Sequence, residues 1–447
     1  MGFKPGKRSR QILRLLHQLW HSCFLRRLIG CLLVFVLTGC TSPAQRQEQG
    51  VIHLSFWQGV NPPPNRVVLE SLIDQFNQSH PQIQVDSFYI GQPDQQMPKI
   101  LAAVVGNAPP DLLWYNPTIT GQLVELGALR PLEEWWQASP VRSQIDPALL
   151  STMNYQQHTW SVPFGTNNIG IFYRPSLFKA AGVTTLPKTW AELRQTAKQL
   201  TRDTNGDGKV DQRGIFLSLG QGEFAVFTWL PFMWSAGSEL STQALRAVDL
   251  VNPGAIAALQ FWSDLLKDGS AMLSLPERGY ELDNFLAGKV AMQITGPWTL
   301  AQLQQSGVDF GVLPIPEQVK SATGLGGENL FVFKTTPERE QAALMFAEYV
   351  VSQGFQTDWA LKTGYLPVNL RSRQSEAYQQ FVAQQPTLEV FLQQMAVAQA
   401  RPLFAGYNRV SENLGRALES VLLQKSSPEV ALQQSQARLD LIAEHQN

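Results

Sequence analysis

Beyond residue 40 the sequence has no cysteine: all three, Cys23, Cys31 and Cys40, fall in the first forty residues. The rest of the chain therefore forms no disulfide and offers no thiol nucleophile or cysteine metal site. Histidine is scarce as well. Of six, His17 and His21 precede Cys40, and the other four show no metal-ligand spacing. No G-x-S-x-G, H-E-x-x-H or phosphate-binding glycine loop occurs. No apolar run after Cys40 reaches the roughly 20 residues of a membrane-spanning helix, and no internal repeat is visible. Positive charge is in deficit too. Seven of the 35 basic residues and none of the 36 acidic ones precede Cys40, leaving 28 against 36, a formal −8. Nucleic acid is disfavoured as a partner, since phosphate neutralisation needs a basic face.

What is present begins with an address. Lys4, Lys7, Arg8, Arg10, Arg14, Arg26 and Arg27 precede an apolar run from Leu28 to Leu37, and Leu37-Thr38-Gly39-Cys40 closes it. About ten apolar residues suit a signal peptide and are too few to span a bilayer. The string LTGC resembles the bacterial lipobox, which implies removal of residues 1–39 and acylation of Cys40. Residues 41–49 (TSPAQRQEQ) read as a tether, so the reading divides the start of the chain into a lipoprotein signal at 1–39 and a tether at 40–50. The body is then extracytoplasmic, in the periplasm or at the cell surface, and held to a membrane through Cys40.

The remaining 408 residues suggest two domains. A strand at 51–57, a helix at 66–79, a strand at 84–89, a helix at 95–105 and a strand at 111–115 follow one another, the last behind Ala108-Pro109-Pro110. A strand near 169–173, a helix at 190–200 and further units continue to Phe333, and the sequence is mostly helical from Glu338. Alternation of this kind predicts an α/β protein with mainly parallel sheets.

Several strings carry more than a pattern. VPFGTNNIGIFYRPSLFKAAG (162–182) with PKTWAEL (187–193), PPDLLWYN (109–116), GALRPLEEWW (127–136), FLAGKVAMQITGPW (285–298), VLPIPE (312–317) with GLGGENL (324–330), and KTGYLPV (362–368) stand in one order. Together they resemble the family 1 extracellular solute-binding proteins of ABC importers. The resemblance implies a two-lobed periplasmic-binding-protein fold whose lobes are joined by a three-segment hinge, with ligand in the cleft between them. It places the crossings near 165–169, 327–331 and 350–355. The N-terminal lobe would comprise 51–166 and 329–352, and the C-terminal lobe 167–328 and 353–447. It further implies a monomeric binder that delivers a di- or oligosaccharide to an ABC permease.

A sugar offers flat apolar faces and a rim of hydroxyls, so its site needs aromatic platforms and planar polar side chains. Trp57 and Gln58 end the first strand, where open parallel sheets place ligands. The resemblance adds Tyr115, Asn116, Asn167, Asn168, Glu223 or its neighbour Phe224, and Trp298, the last matching a sugar-stacking aromatic of the family. Gly327 and Glu328 fall at the second crossing, where glycine admits a close backbone approach, and Tyr365, Tyr407 and Arg409 follow from the C-terminal alignment. Trp190, Trp262 and Trp359 lie in helical patterns and read as core. A glycerol-3-phosphate or polyol binder is the alternative, for which Arg409 and Arg401 are the near cations. A lipoprotein reporting to a receptor would use the same cleft.

Two further constellations carry chemistry of their own. Asp203, Asn205, Asp207, Lys209 and Asp211 stand at positions 1, 3, 5, 7 and 9 of an EF-hand-like loop with Gly208 at its turn, but Gly214 stands where the twelfth-position acid belongs. A structural calcium is one reading and a metal-free turn the other; no other cofactor is required. Glu133 with Glu134, or Glu281 with Asp283, could be offered as a glycosidase pair. Their places at helix starts, where acids suit the dipole, argue for a binder and against an enzyme.

Overall fold

A computed structural model describes residues 50–91, 93–220, 222–241, 243–275 and 282–445, with the side chains of 93 and 94 left aside. The signal at 1–39, Cys40, nearly all of the 40–50 tether and Glu281 lie outside the described residues. Ten strands build two five-stranded sheets. They are β1 Ile52–Gln58, β2 Ile83–Tyr89, β3 Leu112–Tyr115, β4 Ser161–Asn167, β5 Gly170–Tyr173, β6 Arg213–Leu217, β7 Ala271–Leu273, β8 Val290–Thr295, β9 Gly311–Leu313 and β10 Gly326–Val332. The first sheet has the order β2-β1-β3-β10-β4 and the second β9-β5-β8-β6-β7.

Helix α1 (Pro63–Ser79) starts three residues before the helical spacing does. Its prolines suit a first turn, where their missing amides cost no hydrogen bond. Leu69, Leu72, Ile73 and Phe76 form its buried stripe. The helix at Trp190–Leu200 starts where PKTWAEL predicts, closed by a capping box in which Thr189 and Glu192 each bond the other's backbone.

In the first sheet β1 runs parallel to β2 and β3, while β10 inserts antiparallel between β3 and β4. The chain leaves this sheet at Asn167 and enters the second at Gly170. It returns after β9, since Gly326–Val332 already belongs to the first sheet. Each sheet has its own core. Phe56, Phe76, Phe164 and Phe346 pack on the first; Trp190, Phe232, Phe261 and Trp262 pack on the second, with the Trp190 and Phe261 rings stacked at 4.7 Å.

Two helices, α3 (Pro337–Val350) and α4 (Gln353–Thr363), follow β10. Phe355 and Trp359 of α4 pack against Phe164, and Tyr365 and Val368 join the same core. The boundary expected at 352/353 thus does not coincide with the packing. Phe355, Trp359, Tyr365 and Val368 share the first sheet's core because α4 lays its aromatic face on β4, whereas Leu366 already packs with Leu388 and Phe391 of the second sheet's cores, which Phe404 and Tyr407 join farther along. Among the described residues no helix is long and apolar enough to cross a membrane.

One buried ion pair ties the first sheet together. Asp111 is 2% exposed, and its carboxylate accepts from the Ser55 amide (2.7 Å), the Ser55 hydroxyl (2.8 Å) and Arg339 Nε (2.6 Å) and Nη2 (2.5 Å). It joins β1, the approach to β3 and the first turn of α3. Arg339→Met would remove the half-exposed cation of that buried carboxylate while leaving its Ser55 hydrogen bonds, a loss of about 1–2 kcal/mol. Urea unfolding should show a loss of that order; an unchanged midpoint and slope would contradict the role.

Candidate functional site

The ends of the strands and the segments joining the sheets enclose a cavity of about 240 Å³. From the first sheet come Gly59, Asn61, Pro62 and Pro63, which follow β1, and Trp114 and Asn116 at the end of β3. The second contributes Glu223, Phe224 and Phe227 of helix α2 (Glu223–Ser235), together with Leu282 and Asp283. Asn167, Trp298, Thr299, Gln302, Gly326, Gly327, Glu328, Tyr365 and Arg401 complete the wall.

Trp298 packs against the cores of both sheets, and its carbonyl accepts from Asn65 Nδ2 at 3.2 Å. Its ring folds back over the chain, which Gly296 permits: a Cβ there would lie 2.0 Å from the indole. Gly327 has φ +109°, and a Cβ on it would lie 2.2 Å from the Gly165 carbonyl oxygen. Glycine therefore lets β10 lie close against β4 where the wall is thinnest. The β10/β4 register then shifts between Glu328 and Asn329, an irregularity of the kind that re-aims side chains next to functional sites.

The charged part of the wall is layered. Arg401 is 8% exposed; it donates from Nη1 to Glu223 Oε1 at 2.5 Å and lies over the Phe227 ring, 4.4 Å from its centroid. Glu223 also accepts from the Tyr407 hydroxyl at 3.2 Å and from the Ser411 hydroxyl. Glu328 lies deep in the protein but keeps part of its surface toward the cavity. Burial pushes its carboxyl from 4.5 up to about 7, against the opposing pull of the Arg401 charge and the Tyr365 hydroxyl. Burial and Glu328 together hold Tyr365 well above the ordinary phenol range, so it stays a donor. Three buried polar atoms of wall residues, themselves out of reach of the cavity, have no hydrogen-bond partner among the described residues: Asn167 Oδ1, Glu328 Oε2 and Arg401 Nε.

Of the residues expected at the site, Asn116, Asn167, Glu223, Trp298, Gly327, Glu328 and Tyr365 line this cavity. Trp57, Gln58, Tyr115, Asn168, Tyr407 and Arg409 do not. Trp57 and Tyr115 turn to a satellite core with Ile119 and Phe331. Gln58 is spent internally, accepting from the Val60 amide at 2.8 Å. Asn168 ties the crossing to the helix Pro386–Gln394, donating to the Phe391 carbonyl at 2.7 Å and accepting from Gln394 Nε2 at 3.1 Å. Tyr407 sits behind Glu223, and Arg409 is exposed and pairs with Glu412. Trp114 takes the place expected of Tyr115. Successive strand residues face opposite ways, so Asn116 and Trp114 share the cavity face, and that alternation could have found it. Arg401, weighed only as a partner for phosphate, had no sequence signal for its pairing with Glu223.

In the 203–211 loop the acids serve the loop's own backbone. Asp203 accepts from the amides of Asn205, Gly206 and Gly208, Asp207 from Lys209 and Asp211 from Thr204. Gly214 lies in β6, where a Cβ would strike Ala197. Among the described residues no three His, Cys, Asp or Glu side chains are grouped to hold a metal ion.

The sequence profile described as bacterial extracellular solute-binding protein matches residues 71–386. The chain belongs to that family. An sn-glycerol-3-phosphate-binding periplasmic protein of Yersinia pestis is 23% identical over 92% of this chain and 96% of its own. Among solved structures, an ABC transporter solute-binding protein of Thermotoga lettingae bound with α-D-tagatose superposes with TM-score 0.77 and 24% identity, covering 88% of this chain and 99% of that one. UgpB of Mycobacterium tuberculosis in complex with glycerophosphocholine does so with TM-score 0.78 and 21% identity, covering 89% and 100%. These likenesses establish the two-lobed fold of the ABC importer binding proteins.

The raised Glu328 value has a consequence for this solute-binding protein without ligand. The folded state holds a proton that the unfolded chain releases near 4.5, so this group's stabilising share is full below 4.5 and is lost as pH rises to about 7. Glu328→Gln has no such proton. Between pH 4 and pH 8 the stability difference between variant and parent should move in the variant's favour by on the order of 3 kcal/mol. A difference that stays constant with pH in urea titrations would contradict the burial assigned to this carboxyl.

Proposed function

We propose that the protein captures a neutral sugar, a di- or oligosaccharide, in this cavity and delivers it to an ABC permease. The observation that carries the reading is the composition of the wall: Trp298, Trp114 and Phe227 offer flat apolar surfaces, with Asn116, Asn167 and Glu328 among them. Sugar recognition requires that combination of ring faces and planar hydrogen-bonding groups. A glycerol-3-phosphate ligand is less well served. Among the described residues Arg401 is the cation on the wall, and Glu223 already engages its Nη1, so a phosphate would meet a guanidinium that is largely neutralised.

Trp298 is the platform in this account. Trp298→Ala should weaken the binding of whichever neutral sugar gives the largest thermal stabilisation by about 10- to 100-fold, taking about 1–3 kcal/mol for aromatic stacking. Calorimetry giving the same Kd for variant and parent would remove the stacking role.

The lipid anchor belongs to the same reading. Seven positive charges, a short apolar run and LTGC support acylation at Cys40. When the full chain is expressed in a bacterium, Cys40→Ser should move the protein from the membrane fraction to the soluble one; retention in the membrane fraction would point to an uncleaved N-terminal anchor.

A further inference from the structure

A second pocket, of about 350 Å³, shares no lining residue with the cavity between the sheets. It belongs to the first sheet's half of the protein. Its walls come from the short helix Glu133–Ala138, the 3₁₀ turns Arg142–Gln144 and Pro147–Leu149, and the hairpin that pairs Asn154–Tyr155 with His158–Thr159. Trp136 and Ile145, both members of the first sheet's core, give it an apolar floor, and Leu150 is exposed on its rim. A concave apolar surface with a few polar groups around it is the usual make-up of a small-molecule site.

Two opposite charges line this pocket, Glu133 and Arg142. Glu133 is fixed in place: its Oε1 accepts from the Thr159 amide at 2.9 Å and lies 2.6 Å from His158 Nδ1, while its Oε2 takes part in neither contact. Burial works to raise this carboxyl, but hydrogen bonds from its own amide, the Thr159 amide and His158 outweigh it and hold the group below the usual carboxylate range. Arg142 is exposed, and among the described residues its guanidinium has neither an ion pair nor a hydrogen bond. Gln157 adds a carboxamide at the hairpin turn, where it has φ +66° beside Gln156 at +50°. A two-residue turn of that hand favours Asn-Gly, so two glutamines there hold a strained backbone at the edge of the pocket.

These groups discriminate between ligands. A lone anion would meet the Glu133 carboxylate and a lone cation the Arg142 guanidinium, whereas a zwitterion makes charge-assisted hydrogen bonds with both. A neutral sugar is poorly served, because stacking needs an open ring face and Trp136 is only 6% exposed, in contrast to the half-buried Trp298. We propose that this pocket is a second binding site, for a small zwitterion with an apolar side chain: an α-amino acid whose carboxylate pairs with Arg142, whose ammonium pairs with Glu133, and whose side chain rests on Ile145 and Leu150. The assignment is independent of the sugar reading, since the two sites have no residue in common.

The test is calorimetry of the full chain with L-leucine, L-phenylalanine, N-acetyl-L-leucine, which lacks the ammonium, and L-leucinamide, which lacks the carboxylate. Arg142→Gln and Trp298→Ala are titrated beside the parent, with ligand-free melting temperatures as the control for folding. The expected result is saturable binding of leucine or phenylalanine, with both blocked leucines weaker by about 10-fold or more. Arg142→Gln should weaken the free amino acid about 10- to 100-fold and leave leucinamide unchanged, since leucinamide has no carboxylate for Arg142 to hold. Trp298→Ala should bind the amino acid as the parent does. Absence of binding by both amino acids overturns the site, and so does equal affinity in parent and Arg142→Gln. Equal weakening of all ligands by Arg142→Gln overturns the assigned carboxylate contact. Loss of amino-acid binding in Trp298→Ala places the ligand in the cavity between the sheets and overturns the second site.

Discussion

Glu223 and Arg401 are both withdrawn from water, and the cavity wall is arranged around keeping them paired. A carboxylate or a guanidinium buried alone is costly, so removal of either partner is far worse than loss of an ordinary hydrogen bond. Tyr407 and Ser411 complete the carboxylate, and the Phe227 ring covers one face of the guanidinium. The pair joins the start of α2 to the segment before the helix Tyr407–Leu422, two pieces of chain 178 positions apart. With that join made, Arg401 is held where its charge acts on Glu328, and the polar face of the cavity has its shape.

Glycine provides the other constraint. A Cβ at Gly324 would lie 2.7 Å from the Phe227 ring, and one at Gly326 would lie 2.1 Å from Asn167 Oδ1. With Gly327 against β4, the string GLGG lets backbone occupy space that side chains would need. Phe227 can then lie flat under Arg401, and Glu328 is the first side chain of β10 to reach the cavity. The charged cluster and the glycine string therefore depend on each other: the ring that shields the guanidinium is itself seated on glycine.

Much of the fold was legible from pattern. Period-2 runs behind Pro and Gly, and helical spacing at 66–79 and 190–200, gave strands and helices within a few residues of where they lie, because these signals are local. Strand order was not, since insertion of β10 between β3 and β4 depends on chain returning from the far sheet. The same limit explains the third hinge segment. Nothing in residues 353–368 says which core they join; that is decided by Phe355 and Trp359 meeting Phe164, nearly two hundred positions earlier. At the site, residues given by motif and family order, such as Asn167, Trp298 and Glu328, lie on the cavity. Tyr115 was misplaced by a single position in a two-residue alternation. Tyr407 and Arg409 were misplaced because a helix start was aligned without the ion pair that orients it.

The cavity is proposed to seat a sugar with its ring on Trp298 and its hydroxyls on the polar side chains of the wall. A crystal structure with a bound neutral sugar tests it most directly. The expected result is a sugar ring stacked on the Trp298 indole, with its hydroxyls hydrogen-bonded to polar side chains of the wall. A sugar bound outside the cavity, or bound within it away from Trp298, would contradict the proposal.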